Sequence, residues 1–227
     1  MRNRYLRATL LFLGIAGIVA YSVFPNEKEV ECLESETNFY PYGDSASGMA
    51  YIKLEPFAFR CSLLNENGNC GMGFSFGETR RNSKNWNLMD SLVLELQSSP
   101  DLRELVVQIL TYDPDYTKAG DRSTMKPFIK EVELNPGKKR YSIALEHFYV
   151  PDYWFVQQNA KNSHNAKRFF AVMGMDIYAG WKNPANTMLE LKVSRACAEG
   201  FSNTPFVILV IYLGILIASA IAARVGN

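Results

Sequence analysis

With two histidines, four cysteines and no C-x-x-C pair, this 227-residue chain lacks the ligand clusters a zinc site needs. It has no basic excess either: the net charge is +1. That excludes the electrostatic footprint of a nucleic-acid binder. Internal repeats, low-complexity tracts and a long amphipathic helix are also missing, which argues against solenoids and helical bundles. The sharpest absence is local. From Ala8 to Phe24 and from Pro205 to Ala223 there is no Asp, Glu, Lys, Arg or His. As helices these runs span about 25–29 Å, close to the hydrocarbon thickness of a bilayer.

Two such runs predict a two-pass membrane protein. Arg2, Arg4 and Arg7 precede the first and Arg224 follows the second, so the positive-inside rule keeps both ends cytoplasmic. The expected layout is a cytoplasmic N-terminus (1–7), a membrane helix (8–24), an external domain (26–204), a second helix (205–223) and a cytoplasmic tail (224–227). For a bacterium the location is the inner membrane, with the main domain in the periplasm. A cleaved signal peptide is the alternative for the first run, but Ala20-Tyr21-Ser22 is a poor small-residue cleavage site. Gly214, Ala218 and Ala222 share one face of the second helix, a spacing that permits close helix contact or self-association.

The external segment is slightly acidic and holds all four cysteines. An even number facing an oxidising compartment reads as two disulfides, with three possible pairings. Cys61 and Cys70 flank the turn-rich Asn65-Glu66-Asn67-Gly68-Asn69, which predicts a local bridge and leaves Cys32 to pair with Cys197.

Period-two alternation predicts strands. Leu92, Leu94 and Leu96 alternate in one segment, Leu105, Val107 and Ile109 in the next, then Val132 and Leu134, then Leu189, Leu191 and Val193. Further strands are expected at 50–61, 71–76, 140–145, 153–157 and 168–178, separated by turns such as Asn135-Pro136-Gly137. About nine short strands in one domain predict a mainly β, antiparallel sandwich or jelly roll.

Three short motifs sharpen this. Tyr112-Asp113-Pro114-Asp115-Tyr116 closes a strand, Lys126 opens the next, and Val150-Pro151-Asp152-Tyr153-Trp154 follows. Over roughly 90–194 the chain resembles the galactose-binding-like jelly roll that serves as the outer sensor region of bacterial diguanylate cyclases and histidine kinases. That region is related to the carbohydrate-binding-like fold of the complex I intermediate-associated proteins. The resemblance implies a periplasmic sensing module. It departs from the family in that no cyclase or kinase domain follows the second run, so the module stands here without an effector.

The candidate ligand residues are Asp113, Asp115 and Tyr116 in the long 111–126 loop, with Lys126, Tyr153 and Trp154. The oxygen-rich loop suits calcium as well as an organic ligand, and a plain solvated loop is the alternative. Exposed rings stack on sugars, and buried ones fill a core; Trp154 is expected to be core. Gly73-Phe74-Ser75-Phe76-Gly77 matches the G-x-S-x-G nucleophile motif, but that motif works only between a strand and a helix. The sequence therefore predicts a non-enzymatic module that senses a small molecule, a carbohydrate or a partner. The alternatives are an envelope assembly subunit that binds another membrane protein, and a hydrolase using Ser75.

Overall fold

The computed structural model describes residues 11–17, 28–33, 38–43, 46, 48–77, 79–160, 169–201 and 204–225; side chains at 28, 29, 204–206, 219, 220 and 222–225 lie outside it. The expected cytoplasmic N-terminus 1–7, residues 8–10 and 18–24 of the first run, residues 226–227 of the expected tail 224–227, and the side chains of Ala222 and Arg224 thus fall outside the described residues.

Residues 30–199 form one compact unit. Eleven strands are present among the described residues. One sheet has the order β3 (Met49–Glu55), β4 (Ala58–Leu63), β11 (Met188–Phe201), β6 (Met89–Ser98), β9 (Arg140–Ala144), with β1 (Lys28–Cys32) also pairing β11. The other runs β2 (Asn38–Tyr42), β5 (Gly71–Ser75), β10 (Val172–Ala179), β7 (Glu104–Thr111), β8 (Lys126–Glu133). The paired registers are antiparallel in both sheets. From β4 to β7, and again from β8 to β11, the chain changes sheet at every step. That alternation is the jelly-roll form of the sandwich.

The period-two residues meet between the sheets. Leu92, Leu94 and Leu96 face Leu105, Val107 and Ile109, and Leu189, Leu191 and Val193 close the same core. Cys61–Cys70 joins the end of β4 to the start of β5, and Cys32–Cys197 joins β1 to β11. Both bridges agree with the pairing read from the sequence.

Three segments differ from expectation. The single strand at 50–61 is a hairpin that turns at Pro56 and Phe57, where Phe57 takes a left-handed φ of 56°. β2 carries Pro41, which masks its strand signal; it lies at a sheet edge, where a missing N–H is tolerated. The strand at 153–157 is instead the helix α1 (Asp152–Gln158). Pro151 precedes it, Asp152 sits favourably in its first turn, and Asn159 ends it in the left-handed conformation, its N–H bonded to Phe155 and Val156 carbonyls.

The second compact unit comprises chain outside 30–199. Residues 11–17 are helical, and α2 spans Thr204–Val225. Tyr212 donates its hydroxyl to the Leu13 carbonyl at 2.5 Å. Leu209, Tyr212, Leu213 and Leu216 are half-buried at i, i+3, i+4, i+7 spacing, while Gly214 and Ala218 stay exposed. A side chain at Gly17 would overlap the Tyr212 ring. So the face that meets residues 11–17 is the tyrosine face, not the small-residue face. Among the described residues no helix is long and apolar enough to cross a membrane.

Candidate functional site

The three sequence motifs do converge in space. Asp113 accepts from the Asp115 amide (3.0 Å), and its carbonyl accepts from the amides of Tyr116 and Thr117, which folds the loop into an Asx turn. Asp121 caps a short 3-10 turn, Arg122–Thr124, through the Ser123 amide. Lys126 Nζ lies 3.7 Å from Asp113 Oδ2 and over the rings of Phe128 and Trp154. Tyr116 meets Trp154 edge to face at 5.3 Å, and Trp154 Nε1 donates to the Met125 carbonyl.

This cluster faces inward. Trp154 is 1% exposed, and Asp113 and Lys126 are buried. Trp154 is core, as expected of it, while Asp113 and Lys126, named as ligand candidates, are turned inward beside it, and together the three clamp the 111–126 loop and α1 onto the sandwich. A charge buried this deeply must be paired, and here the two lie within ion-pair distance of each other. Asp115 is exposed, Tyr116 is half-buried, and Tyr153, next to Trp154 on α1, is 49% exposed. Among the described residues no three His, Cys, Asp or Glu side chains gather as a metal site would require.

A different cluster occupies the outer face of the second sheet. Strand register sets one row of facing residues across it: Tyr40, Gly73, Asp176, Gln108 and Ile129. The next row is Tyr42, Gly71, Tyr178, Val106 and Glu131. Asp176 is the centre of the first row and is 1% exposed. Its Oδ1 accepts from the Tyr40 hydroxyl and, at 3.0 Å, from Arg122 Nη2; its Oδ2 accepts from Gln108 Nε2 at 3.0 Å. The Arg122 guanidinium also stacks on the Tyr40 ring at 4.2 Å. Glycines make the room. A Cβ at Gly73 would collide with Tyr40 and Asp176, and one at Gly174 would press on Arg122.

Burial dominates the electrostatics here. It pushes the Asp176 carboxyl up to about 7, against the opposing pull of Arg122 and Gln108. It also lowers Arg122 from its ordinary value, with Asp176 pulling the other way. Tyr42 and Tyr178 stack at 4.3 Å, and burial raises both phenols. Tyr153 is raised by burial and then by the Asp176 charge. Tyr149 pairs with Ile129 through a bridge, its hydroxyl on Glu131, which places a second exposed ring on the same face.

Sequence reasoning reached Tyr153 and the 111–126 loop that carries Arg122, but missed Tyr40, Gln108 and Asp176. The available signal was a polar residue inside an otherwise apolar strand: Gln108 in Leu105–Leu110 and Asp176 in Val172–Ala179. Ser75 ends β5 and lines a cavity of about 210 Å³ with Phe76, Lys84, Trp86 and Met175. The chain beyond it forms a 3-10 turn, Arg80–Asn82, rather than the α-helix a nucleophile elbow requires.

No family model and no curated protein sequence matches the chain. Solved structures do. A family 11 carbohydrate-binding module from Clostridium thermocellum, in complex with a β-1,3-1,4-mixed-linked tetrasaccharide, aligns at 11% identity and TM-score 0.44, over 78% of this chain and 89% of that one. A xylan-binding module aligns at 8% and 0.41, over 77% and 97%. An endoglucanase from Rhodothermus marinus aligns at 9% and 0.37, over 77% and 100%. Identities and scores at this level leave the reading of the face to its own geometry.

Proposed function

We propose that this chain is a membrane-anchored recognition module, and that its recognition face is the outer face of the β2–β5–β10–β7–β8 sheet. One observation carries this reading. A partly exposed cation, Arg122, is held in place by the buried Asp176 carboxyl and the Tyr40 ring, on the same face as the exposed rings of Tyr149 and Tyr153. Sugars combine apolar C–H faces with hydroxyls. Rings beside preset polar groups are complementary to that pattern, so a carbohydrate is the favoured ligand. The two disulfides support an oxidising compartment such as the periplasm, and the flanking arginines support cytoplasmic ends. In that arrangement the module senses outside and acts through its apolar helices.

Titration calorimetry of the full chain in detergent, against soluble neutral and acidic oligosaccharides, tests the reading. Binding that Tyr153→Ala weakens at least about tenfold is expected. Absence of binding to every saccharide, or binding indifferent to Tyr153, overturns it. A second reading, an envelope assembly subunit, is favoured by the exposed Gly214 and Ala218 on α2, open to a partner's helix.

A further inference from the structure

Arg122 is held as an anion receptor would be. Its guanidinium lies flat on Tyr40, over the gap left by Gly174, with one nitrogen on Asp176. Its side chain is 32% exposed, so Arg122 is reachable from solvent. With Asp176 ionised the two charges cancel. With Asp176 protonated the site carries one positive charge, already oriented.

Gln108 fits both states. It is 6% exposed; Nε2 donates to the Asp176 carboxylate, while Oε1 accepts no hydrogen bond. Turned over, the same amide accepts the proton of a carboxylic acid. In that state Oε1 has the acid proton as its partner, and Nε2 takes the place that Oε1 held. The other groups around Asp176 stay fixed. β2 presents Tyr40 and Tyr42, β10 presents Tyr178, α1 presents Tyr153, and β5 presents only Gly73. Tyr42, Tyr153 and Tyr178 are raised above ordinary phenols and keep their protons at neutral pH.

Resting on the reading of this face as a saccharide site, we propose that Arg122, gated by protonation of Asp176, binds the carboxylate of an acidic saccharide such as a uronic acid. Anion binding and proton uptake are then linked, and each favours the other. The Asp176 carboxyl near 7 places the transition within the range an outer compartment visits. If only the protonated form binds, affinity falls about tenfold between pH 5.5 and pH 8.

The test is calorimetry of the full chain in detergent with oligogalacturonate and with a neutral mixed-linkage β-glucan oligosaccharide, at both pH values. The proposal expects oligogalacturonate to bind about tenfold tighter at pH 5.5, with the neutral glycan unaffected by pH. Asp176→Asn mimics the protonated acid and should bind tightly at both pH values. Arg122→Gln should lose the acidic ligand while keeping its fold by near-ultraviolet dichroism. Neutral glycan bound at least as tightly as oligogalacturonate at pH 5.5, or oligogalacturonate bound with no pH dependence in the wild type, overturns this proposal and leaves the recognition face standing. Failure of both glycans overturns the two together. The wild-type pH comparison decides even if a variant does not fold.

Discussion

Tyr40 reaches Asp176 across the full width of β5, and it does so because position 73 is glycine. The two residues are 136 positions apart in the chain. Their hydrogen bond ties an edge strand to the centre of the sheet, and it gives the buried carboxylate one of the donors it needs in place of water.

Gly73→Ala should break that contact. The new methyl would displace Tyr40 or Asp176, at a cost of about 1–3 kcal/mol for an overpacked site. Tyr40→Phe removes the donor alone and should cost about 1.5–3 kcal/mol. Urea melts of both singles and the double check this: the double should cost clearly less than the sum, because both changes remove one interaction. Strict additivity would show that Gly73 acts elsewhere.

Asp176 should make stability depend on pH. Its carboxyl rises from 3.8 to about 7 on folding. A raised carboxyl favours the folded state fully below the unfolded value, and that contribution is lost as pH rises through the folded one. Stability should therefore decline between about pH 4 and pH 7, by on the order of 4 kcal/mol at most. Asp176→Asn should flatten this part of the profile. Melting temperatures across pH 4–8 for the two proteins measure the difference.

Adjacent residues Tyr153 and Trp154 should behave oppositely. Trp154→Ala empties a filled core position and should cost about 3–5 kcal/mol. Tyr153→Ala, on the exposed side of α1, should cost under about 1 kcal/mol and act on ligand binding instead. Paired denaturation and binding measurements separate the two roles.

The two disulfides should differ in contribution and in access. Cys32–Cys197 spans 165 positions and Cys61–Cys70 spans 9, so the loop-entropy model assigns about 5 and about 2–3 kcal/mol. Cys32 is exposed, whereas Cys61 and Cys70 are buried. Mild reductant should open the long bridge first, which timed alkylation and peptide mapping would record.

Tyr212→Phe removes the hydroxyl that binds the Leu13 carbonyl and should loosen the two helical segments by about 0.5–1.5 kcal/mol. Gly17→Leu, which collides with the same ring, should loosen them more. Disulfide trapping between introduced cysteines, one in each segment, reads the change.

Much of the sandwich was legible because its signals are local. Leucines at 92, 94 and 96 alternate within one strand, and alternation alone decides which face is apolar. The Cys61–Cys70 bridge flanks a visible turn, and elimination then left Cys32 with Cys197. The motifs that carry Asp113, Lys126 and Trp154 were visible, and so was Trp154 as core, but the inward turn of Asp113 and Lys126 was not. Whether a ring points in or out depends on the strand or helix that carries it. The segment at 153–157 became a helix because Pro151 and Asn159 set its ends, which placed Trp154 in the core and Tyr153 outside. The outer-face site was decided by tertiary structure. Tyr40, Gln108, Arg122 and Asp176 come from four distant segments, and no window of sequence contains two of their contacts. They meet because strand register puts β2, β5, β10 and β7 side by side, and because glycines at 73 and 174 leave room for long side chains to cross. Burial then did what no residue type does alone: it turned an ordinary aspartate into a carboxyl that titrates near neutrality.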